Sequence, residues 1–340
     1  MPFDHIRAQE PAVRTLTAAL LAGRVHHAYR FEGPDGVGKE LTAFALAQAL
    51  TCGGGEALGC GRCEACRKAV TFSVGPPTSP LAPDVILVER GLYPAETIGR
   101  SRGELVDISV DQVRRVVLTH VGFAPHGGRA RVFIIRRADE LSISAGNALL
   151  KTLEEPRPDT HFVLLTSRPD RLLDTIRSRT MPIRFGPLPE ALVREVLIQH
   201  QVPAERQDLA VELGAGSASA ALEHADPEHT AARDAFVARV LAAASAPDLG
   251  AAVALAEACP QDRAALRRDL VAVGAALART ARLAAGSDPR AAEIAAHRYD
   301  VVAQAIIRLE KNASTNLSLI QLVAEMRAGG LSVGQRWTRP

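Results

Sequence analysis

Short apolar runs alternate with stretches of helical periodicity along the first half of the chain. Runs of four to six residues between turn-forming residues are typical of buried strands. They predict five strands: YRFE near Tyr29, DVILVE from Asp84, RVFIIR from Arg131, HFVLLT from His161 and MPIRF from Met181. Helical spacing predicts helices at roughly 12–22, 38–50, 109–120, 143–155 and 169–177. This alternation indicates an α/β fold with a parallel sheet and helices on both faces.

The second half of the chain has no strand signals and is rich in alanine and leucine at helical spacing. The change follows GPLP at 186–189, and the polar turn HADPEHT at 224–230 marks a second boundary. We therefore expect an α/β domain at 1–186, a small helical domain at 187–228 and a longer helical domain at 229–340. Helices in the small domain are expected near 190–200, 205–213 and 217–224.

Composition narrows the class of protein. Hydrophobic residues make up 47% and charged residues 23%, which predicts a chain that folds throughout. No apolar run reaches the ~18 residues of a membrane span, and the N-terminal MPFDHIRAQE lacks an apolar core, so we expect a cytoplasmic protein without a membrane segment. A net charge of +2 excludes a globally basic nucleic-acid coat, and 4% aromatic residues argue against a base-stacking platform.

The segment GPDGVGKE, from Gly33 to Glu40, nearly matches the phosphate-binding loop G-x-x-x-x-G-K-[ST]. Glycines in such a loop let backbone N–H groups point at phosphates, and the following helix directs its positive end at them. The residues that preserve this design are Gly33, Gly36, Gly38 and Lys39. They are the predicted nucleotide-binding residues of a degenerate loop, and the sequence leaves open whether the loop binds ATP without hydrolysing it.

The predicted loop lacks the groups that normally hold magnesium. Hydrolysis needs a Ser or Thr after the lysine and an acid at the tip of a neighbouring strand. Glu40 takes the first place, and Arg136 and Arg137 follow the strand RVFII instead of acids. We therefore predict that the Mg²⁺ site is lost. Asp139 and Glu140 are candidate replacements, and the alternative interpretation is that they form a solvated turn.

The two substitutions bring opposite charges to positions that the loop motif places together. In an intact site the hydroxyl and the acid meet through the cation. We therefore hypothesise a direct ion pair between Glu40 and Arg136 in the vacated metal position. The alternative is that they are two unrelated surface changes.

Four of the five cysteines lie within fifteen residues, in the pattern C-x7-C-x2-C-x2-C. Two consecutive C-x2-C units are typical of a zinc site rather than of disulfides. The predicted ligands are Cys52, Cys60, Cys63 and Cys66 within a module at 52–66. Four thiolates fill a tetrahedral site and leave no place for water, so the zinc is expected to be structural. Cys259 is expected to be an ordinary core residue.

The segment NALLKTLEEPRPDTHFVLLTSRPDRLLDTIRSRT, residues 147–180, resembles the clamp-loader ATPases of bacterial DNA polymerase III, the delta prime type more than the gamma/tau type. HHAYRFEGPDGVGK from His26, the cysteine module, ISVDQVRRV from Ile108 and NASTNLSLIQLV from Asn312 support the resemblance, which covers about 20–330. It implies a RecA-like AAA+ domain, a helical lid and a helical collar that assembles five subunits into a ring. The implied partners are gamma/tau-type and delta-type subunits, a sliding clamp and primer-template DNA.

The resemblance also implies roles for particular residues. Ser178, Arg179 and Thr180 match a Ser-Arg-Cys element whose arginine reaches the nucleotide of the adjacent ATPase subunit, so Arg179 is expected to act in trans, with Ser178 as a second catalytic residue. The change from cysteine to Thr180 is expected to matter little. Thr166 and Ser167 match a γ-phosphate sensor and are expected to make local hydrogen bonds here. Ser219 stands where active relatives have a phosphate-binding arginine, which is a further missing part.

The helix ISAGNALLKTLEEP combines an apolar stripe with a charged face. The stripe consists of Ala148, Leu149, Leu150 and Leu153. Lys151, Glu154 and Glu155 are expected to stay free for partner contact, and the alternative is a solvated face.

We therefore predict a non-hydrolysing clamp-loader subunit of the DNA polymerase III holoenzyme, which helps to load the sliding clamp and supplies Arg179 to a neighbouring ATPase. An alternative is an active gamma/tau-type ATPase that uses Lys39 with displaced acids. A third interpretation, a zinc-containing nucleic-acid-binding module, has little support from the charge and the aromatic content.

Overall fold

The computed structural model describes residues 1–99, 107–127, 129–259, 262–310 and 313–332. Asn312, which begins the C-terminal motif, and residues 333–340 lie outside the described residues. The chain forms two compact units. The first consists of residues 1–193 with 216–219, and the second of 194–215 with the described residues from 220 onward.

A five-stranded parallel sheet is the centre of the first unit. Its strands are β1 (Ala28–Glu32), β2 (Val85–Val88), β3 (Arg131–Ile135), β4 (Thr160–Thr166) and β5 (Met181–Arg184). The order is β2-β3-β4-β1-β5, so β1 pairs with both β4 and β5. All five predicted strands are confirmed. Buried apolar residues fill β1 to β4, and β5 is an edge strand with only Ile183 buried.

Helices connect these strands. They are α1 (Glu10–Leu21), α2 (Lys39–Thr51), α3 (Glu64–Val70), α4 (Val110–Gln112), a π-helical segment (Val113–Leu118), α5 (Thr119–Val121), α6 (Ile143–Glu154) and α7 (Asp174–Arg177). Short 3₁₀ helices occur at Pro2–His5, Ala138–Glu140 and Pro169–Arg171. Sequence periodicity did not reveal α3, which lies in the cysteine module.

The single helix predicted at 169–177 is wrong. A 3₁₀ turn at Pro169–Arg171 and the separate helix α7 replace it. Leu172 between them has an extended backbone conformation, and Leu173 (φ −54°, ψ 136°) is also non-helical. Leu172 is buried in the core, with 4% of its surface exposed. Burial of this leucine therefore outweighs helix continuity.

Each face of the sheet has its own hydrophobic core. One core contains residues of α1, α2 and β1, among them Leu16, Leu46 and Phe31. The other contains residues of α6 and the π-helical segment, among them Val117 and Leu149. The predicted apolar stripe of α6 is confirmed, since Leu149 and Leu153 are buried and Ala148 and Leu150 pack beside them. Helices on both faces of a parallel sheet are the predicted α/β architecture.

The second unit is helical. Helix α8 (Glu190–Gln199) begins in the first unit and leads into α9 (Ala204–Gly214) and α10 (Ala218–Ala225). The remaining helices are α11 (Pro227–Ser245), α12 (Gly250–Glu257), α13 (Arg263–Ala284), α14 (Pro289–Glu310) and α15 (Thr315–Ser332). The last five share one core of leucine, valine and alanine, which includes Cys259 as predicted. Among the described helices, none has both the length and the apolar character needed to cross a membrane.

Candidate functional site

The predicted phosphate loop lies at the carboxyl end of the strands. Gly33 follows β1 directly, Arg136 follows β3 and Thr166 ends β4. Because β3, β4 and β1 are neighbours in the sheet, these three positions meet at one edge. Parallel α/β sheets bind ligands at this edge. We call this carboxyl end of the strands the loop edge.

The hypothesis of an ion pair between Glu40 and Arg136 is confirmed. Nη2 of Arg136 contacts Oε1 of Glu40, and Nη1 donates to Oε2 of Glu89 at 2.9 Å. Burial acts to lower the pKa of Arg136, but the hydrogen bonds to Glu89 and Glu40 raise it overall. The guanidinium therefore stays charged between two carboxylates. Glu89 follows β2, and sequence analysis did not identify it as a second partner.

Lys39 binds the carbonyl groups of its own loop. Its Nζ donates to the carbonyl oxygens of Gly33 and Pro34, both at 2.5 Å, and lies 3.4 Å from Oδ1 of Asp35. The residue is 6% exposed. Burial lowers the pKa of the ammonium, although Asp35 opposes this effect. A nucleotide phosphate would have to displace these carbonyl contacts to reach Lys39.

The interpretation of Asp139 as part of a solvated turn is wrong. Its side chain is 4% exposed, accepts a hydrogen bond from Thr166 Oγ1 at 2.7 Å and pairs with Arg168 at 3.5 Å. Glu140 pairs with Arg90 at 3.1 Å and is 20% exposed. The local hydrogen bonding expected of Thr166 and Ser167 is confirmed, since Ser167 Oγ donates to Asp35 at 3.4 Å.

The segment 216–219 lies directly against the loop. The backbone N–H of Ala218 donates to the carbonyl oxygen of Gly36 at 3.1 Å. Gly36 has φ +70°, and a Cβ added there would lie 2.1 Å from Ser219 Oγ and 2.7 Å from the Ser219 backbone nitrogen. Ser219, predicted to replace a phosphate-binding arginine, therefore lies at the loop edge. Its short side chain packs on the loop.

Substitution of Gly36 tests this packing. We expect Gly36→Ala to lower the free energy of unfolding by roughly 2 to 5 kcal/mol, because left-handed strain adds to a collision with the Ser219 backbone. Gly38→Ala is the matched control, since Gly38 also has positive φ (+101°) but open space around it. It should cost only about 1–2 kcal/mol. Urea unfolding of both variants measures the difference, and equal losses would contradict the packing.

The four clustered cysteines have the geometry of a metal site. Their sulfur atoms all lie within 4.8 Å of one another, and the Cys52–Cys63 and Cys60–Cys66 pairs are both 4.0 Å apart. Tetrahedral zinc with Zn–S bonds of about 2.3 Å requires S–S distances of about 3.8 Å, so the residues fit this ion. The backbone N–H of Cys66 lowers the pKa of the Cys63 thiol to about 6, which favours its thiolate, whereas burial raises the pKa of the Cys66 thiol.

The cysteine module is attached to the helix that follows the phosphate loop. Gln48 on α2 donates to the carbonyl oxygen of Cys66 at 2.8 Å, and Cys66 Sγ donates back to the Gln48 carbonyl at 3.4 Å. Arg129 binds the carbonyl oxygen of Cys52. The module therefore binds the C-terminal half of α2, away from the end that follows the phosphate loop.

Arg179 lies at the other end of the strands, near their amino ends, which we call the finger edge. It precedes β5, whose first residue Met181 pairs with Tyr29 near the start of β1. Arg179 Nη2 pairs with Glu154 at 2.6 Å, and Nη1 donates to the Thr175 carbonyl at 3.0 Å and to Ser178 Oγ at 3.1 Å. Its side chain remains 33% exposed. The expectation that Glu154 is free for partner contact is therefore wrong.

A cavity of about 590 Å³ opens at the finger edge. It is lined by His26, His27, Leu153, Glu154, Ser178, Arg179, Thr180 and Met181. The rings of His26 and His27 stack at 4.3 Å, and His27 Nε2 contacts the Leu153 carbonyl at 3.0 Å. Burial, with a contribution from His26, lowers the pKa of His27. In the sequence, His26 and His27 were recognised only as part of the motif HHAYRFEGPDGVGK. Their proximity to Arg179 was not predictable, because it depends on the pairing of β1 with β5.

Arg179 lies too far from the phosphate loop for its side chain to reach it. From Tyr29, level with Met181, to Gly33 the sheet runs about 13 Å at ~3.3 Å per residue, farther than an arginine side chain reaches.

The strand order, the phosphate loop after β1 and the helices on both faces define the RecA-like AAA+ class of P-loop proteins.

Within this class, the family model described as DNA polymerase III, delta subunit, matches residues 8–189. The match covers more than half of the chain, and the chain belongs to this family. The matched range includes the phosphate loop, the cysteine module and Arg179.

Similar curated proteins are subunits of DNA polymerase III. Subunit delta' of Bacillus subtilis is 31% identical over 194 residues, and that of Pseudomonas aeruginosa is 35% identical over 196 residues. Each alignment covers 57% of this chain and about half of the relative, 52% and 53% respectively. Subunit gamma/tau of Mycobacterium tuberculosis H37Rv is 36% identical over 196 residues, which is 57% of this chain and 30% of the relative.

A solved structure of a gamma subunit-related protein from Thermotoga maritima is similar with a TM-score of 0.42 and 15% identity, covering 93% of this chain and 99% of that one.

Proposed function

We propose that the chain is a non-hydrolysing clamp-loader subunit of the delta prime type that supplies Arg179 to the ATP of a neighbouring subunit. The observation that carries this proposal is the separation of the two edges. Arg179 is held at the finger edge by Glu154, while the phosphate loop lies at the loop edge. A partly exposed arginine finger that cannot reach its own loop acts on a second subunit.

The loop edge supports the absence of hydrolysis in this chain. Magnesium at a phosphate loop neutralises charge between the hydroxyl after the lysine and an acid at a strand tip. Here Glu40 takes the first position, and the Arg136 guanidinium lies between Glu40 and Glu89. A divalent cation beside that guanidinium would be repelled, so the residues present do not fit Mg²⁺. Lys39 is bound to loop carbonyls, which opposes ATP binding as well.

Membership of the family supports a proposal for the partners of this subunit. We propose that gamma/tau-type and delta-type subunits complete a five-membered ring, which loads a sliding clamp onto primer-template DNA. Three domains serve this assembly, at 1–186, 187–228 and 229–340. The helical core formed by α11–α15 is the proposed collar. The cysteine module is proposed to bind one structural Zn²⁺.

An active gamma/tau-type ATPase is the second candidate. Relatives of that type are as similar to the chain as the delta' relatives, with 36% identity against 31% and 35%. It would use Lys39 with a displaced acid, and Asp139 is close enough to Lys39 to affect its pKa. Thr166 and Arg168 already bind that carboxylate, which weighs against a role in holding metal.

ATP turnover by the purified chain separates the two candidates. We expect hydrolysis at background level with magnesium and ATP, because the Arg136 guanidinium repels the cation that hydrolysis needs. Release of inorganic phosphate measures it. Lys39→Ala is the matched control, and it should leave the same background. Brisk magnesium-dependent turnover that Lys39→Ala abolishes would instead establish the gamma/tau-type activity.

A further inference from the structure

Arg30 is a buried cation in the middle of β1, close to the finger edge. The residue is 6% exposed. Its Nε donates to Glu32 Oε1 at 2.6 Å, so a carboxylate two positions along the same strand neutralises it. A buried charge is costly unless it is paired and its remaining donors find acceptors. The positions of those acceptors show which segment of the chain Arg30 holds in place.

The remaining contacts of Arg30 lie on both sides of Arg179. Its Nη1 donates to the carbonyl oxygen of Arg177 at 2.9 Å and to Thr180 Oγ1 at 2.7 Å. One guanidinium therefore binds the residue two positions before the finger and the residue directly after it. Thr180 is 5% exposed, and its hydroxyl donates onward to the Ile176 carbonyl at 2.9 Å.

These contacts give the Thr180 side chain a specific place in the fold, and the expected small effect of its change from cysteine stays a prediction. The hydroxyl at this position accepts a charge-assisted hydrogen bond from Arg30 on the neighbouring strand and donates to the Ile176 carbonyl of α7. Arg30 and Thr180 are 150 residues apart in the chain and meet because β1 pairs with β5. The threonine is therefore one half of a specific pair.

We infer that Arg30 and Thr180 are positioning residues for Arg179, with Glu32 as the counter-ion of Arg30. The pair fixes the backbone on both sides of the finger, and Glu154 fixes the guanidinium. Activity that depends on a finger is sensitive to its placement, since a 1 Å misplacement can cost ~10²-fold in rate. This inference rests on the proposed role of Arg179 in trans.

Thr180→Val tests the inference with nearly constant side-chain volume. The complex is reconstituted from the full chain, the companion clamp-loader subunits of the same organism, the clamp and primed DNA. We expect kcat for ATP to fall about tenfold with KM unchanged, because the nucleotide site belongs to the neighbour and only the finger is misplaced. Thr180→Ser keeps the hydroxyl and should stay within about twofold of the unsubstituted complex.

Further measurements separate positioning from folding. Hydrogen exchange of the amides at 178–180 should accelerate in Thr180→Val while complex formation stays unchanged. The melting temperature should fall by only a few degrees, because Arg30 loses one acceptor but keeps the Arg177 carbonyl. Arg30→Met with Thr180→Val removes the buried charge together with its acceptor, and kcat should remain low. Arg184→Met is the matched control, because that arginine is 88% exposed and lies 3.9 Å from the same Glu32. It should leave kcat unchanged.

The outcomes are distinct. If Arg179→Ala lowers kcat and Thr180→Val does not, this inference is overturned and the proposed function stands. Loss of complex formation in Thr180→Val would also overturn it, since that result would indicate a purely structural role. If Arg179→Ala itself has no effect, the proposed function fails and the inference fails with it.

Discussion

Arg179→Ala is expected to lower ATP hydrolysis at the neighbouring site by about 10³-fold, the lower end of the range for arginine fingers. The fold should stay intact, because the side chain is 33% exposed and its ion pair with Glu154 lies at the surface. The physical reason is the loss of a fixed positive charge where the γ-phosphoryl group develops negative charge. Single-turnover hydrolysis by the reconstituted complex, with clamp and primed DNA, measures the effect.

Two further substitutions define what Arg179 contributes. Arg177→Ala removes an arginine from the same segment, whose side chain pairs with Asp174 at 3.0 Å, and should leave hydrolysis unchanged. Arg179→Lys keeps the charge but loses the planar fork, so most of the rate should still be lost. A complex whose hydrolysis is the same with Arg179→Ala as without it would remove the role in trans.

Loss of zinc is expected to have the largest effect on folding. The purified chain should contain one zinc ion, and Cys63→Ser or a strong chelator should release it. Structural zinc contributes an apparent ~10–16 kcal/mol in zinc-finger peptides, and here Gln48 and Arg129 connect the module to the domain. We expect a lower melting temperature and faster hydrogen exchange at 52–70. Elemental analysis measures the zinc content, and calorimetry measures the melting temperature.

Cys259→Ser is the matched control for the zinc experiment. Cys259 belongs to the helical core of the second unit, and its replacement should leave the zinc content at one ion per chain. A Cys63→Ser protein that keeps both its zinc and its melting temperature would contradict the assignment of the four cysteines.

Features that depend on local spacing could be predicted from the sequence. The apolar runs identified all five strands; β1 to β4 are mostly buried because helices cover both faces of the sheet, whereas the edge strand β5 buries only Ile183. The spacing from Cys52 to Cys66 predicted a cluster of four cysteines that could hold a metal ion, because the four residues are close in the sequence. The ion pair between Glu40 and Arg136 was also predictable, although the residues are far apart, because a known motif brings their positions together.

Features that depend on the packing of distant segments could not be predicted. Glu89 became a partner of Arg136 only through the pairing of β2 with β3. Asp139 looked like a turn residue, and its burial depends on Thr166 at the end of β4. The charged face of α6 looked free because periodicity shows where a side chain points but not what lies opposite it.

The sequence by itself determined the order of the elements, the cysteine module and the charges at the phosphate loop, because each follows from residue type and short spacing. Only the tertiary structure decided which charges meet at each edge of the sheet. It placed Arg179 at the opposite edge from Lys39 and brought Arg30 to Thr180. Strand order is set by the packing of whole layers, and no local pattern encodes it.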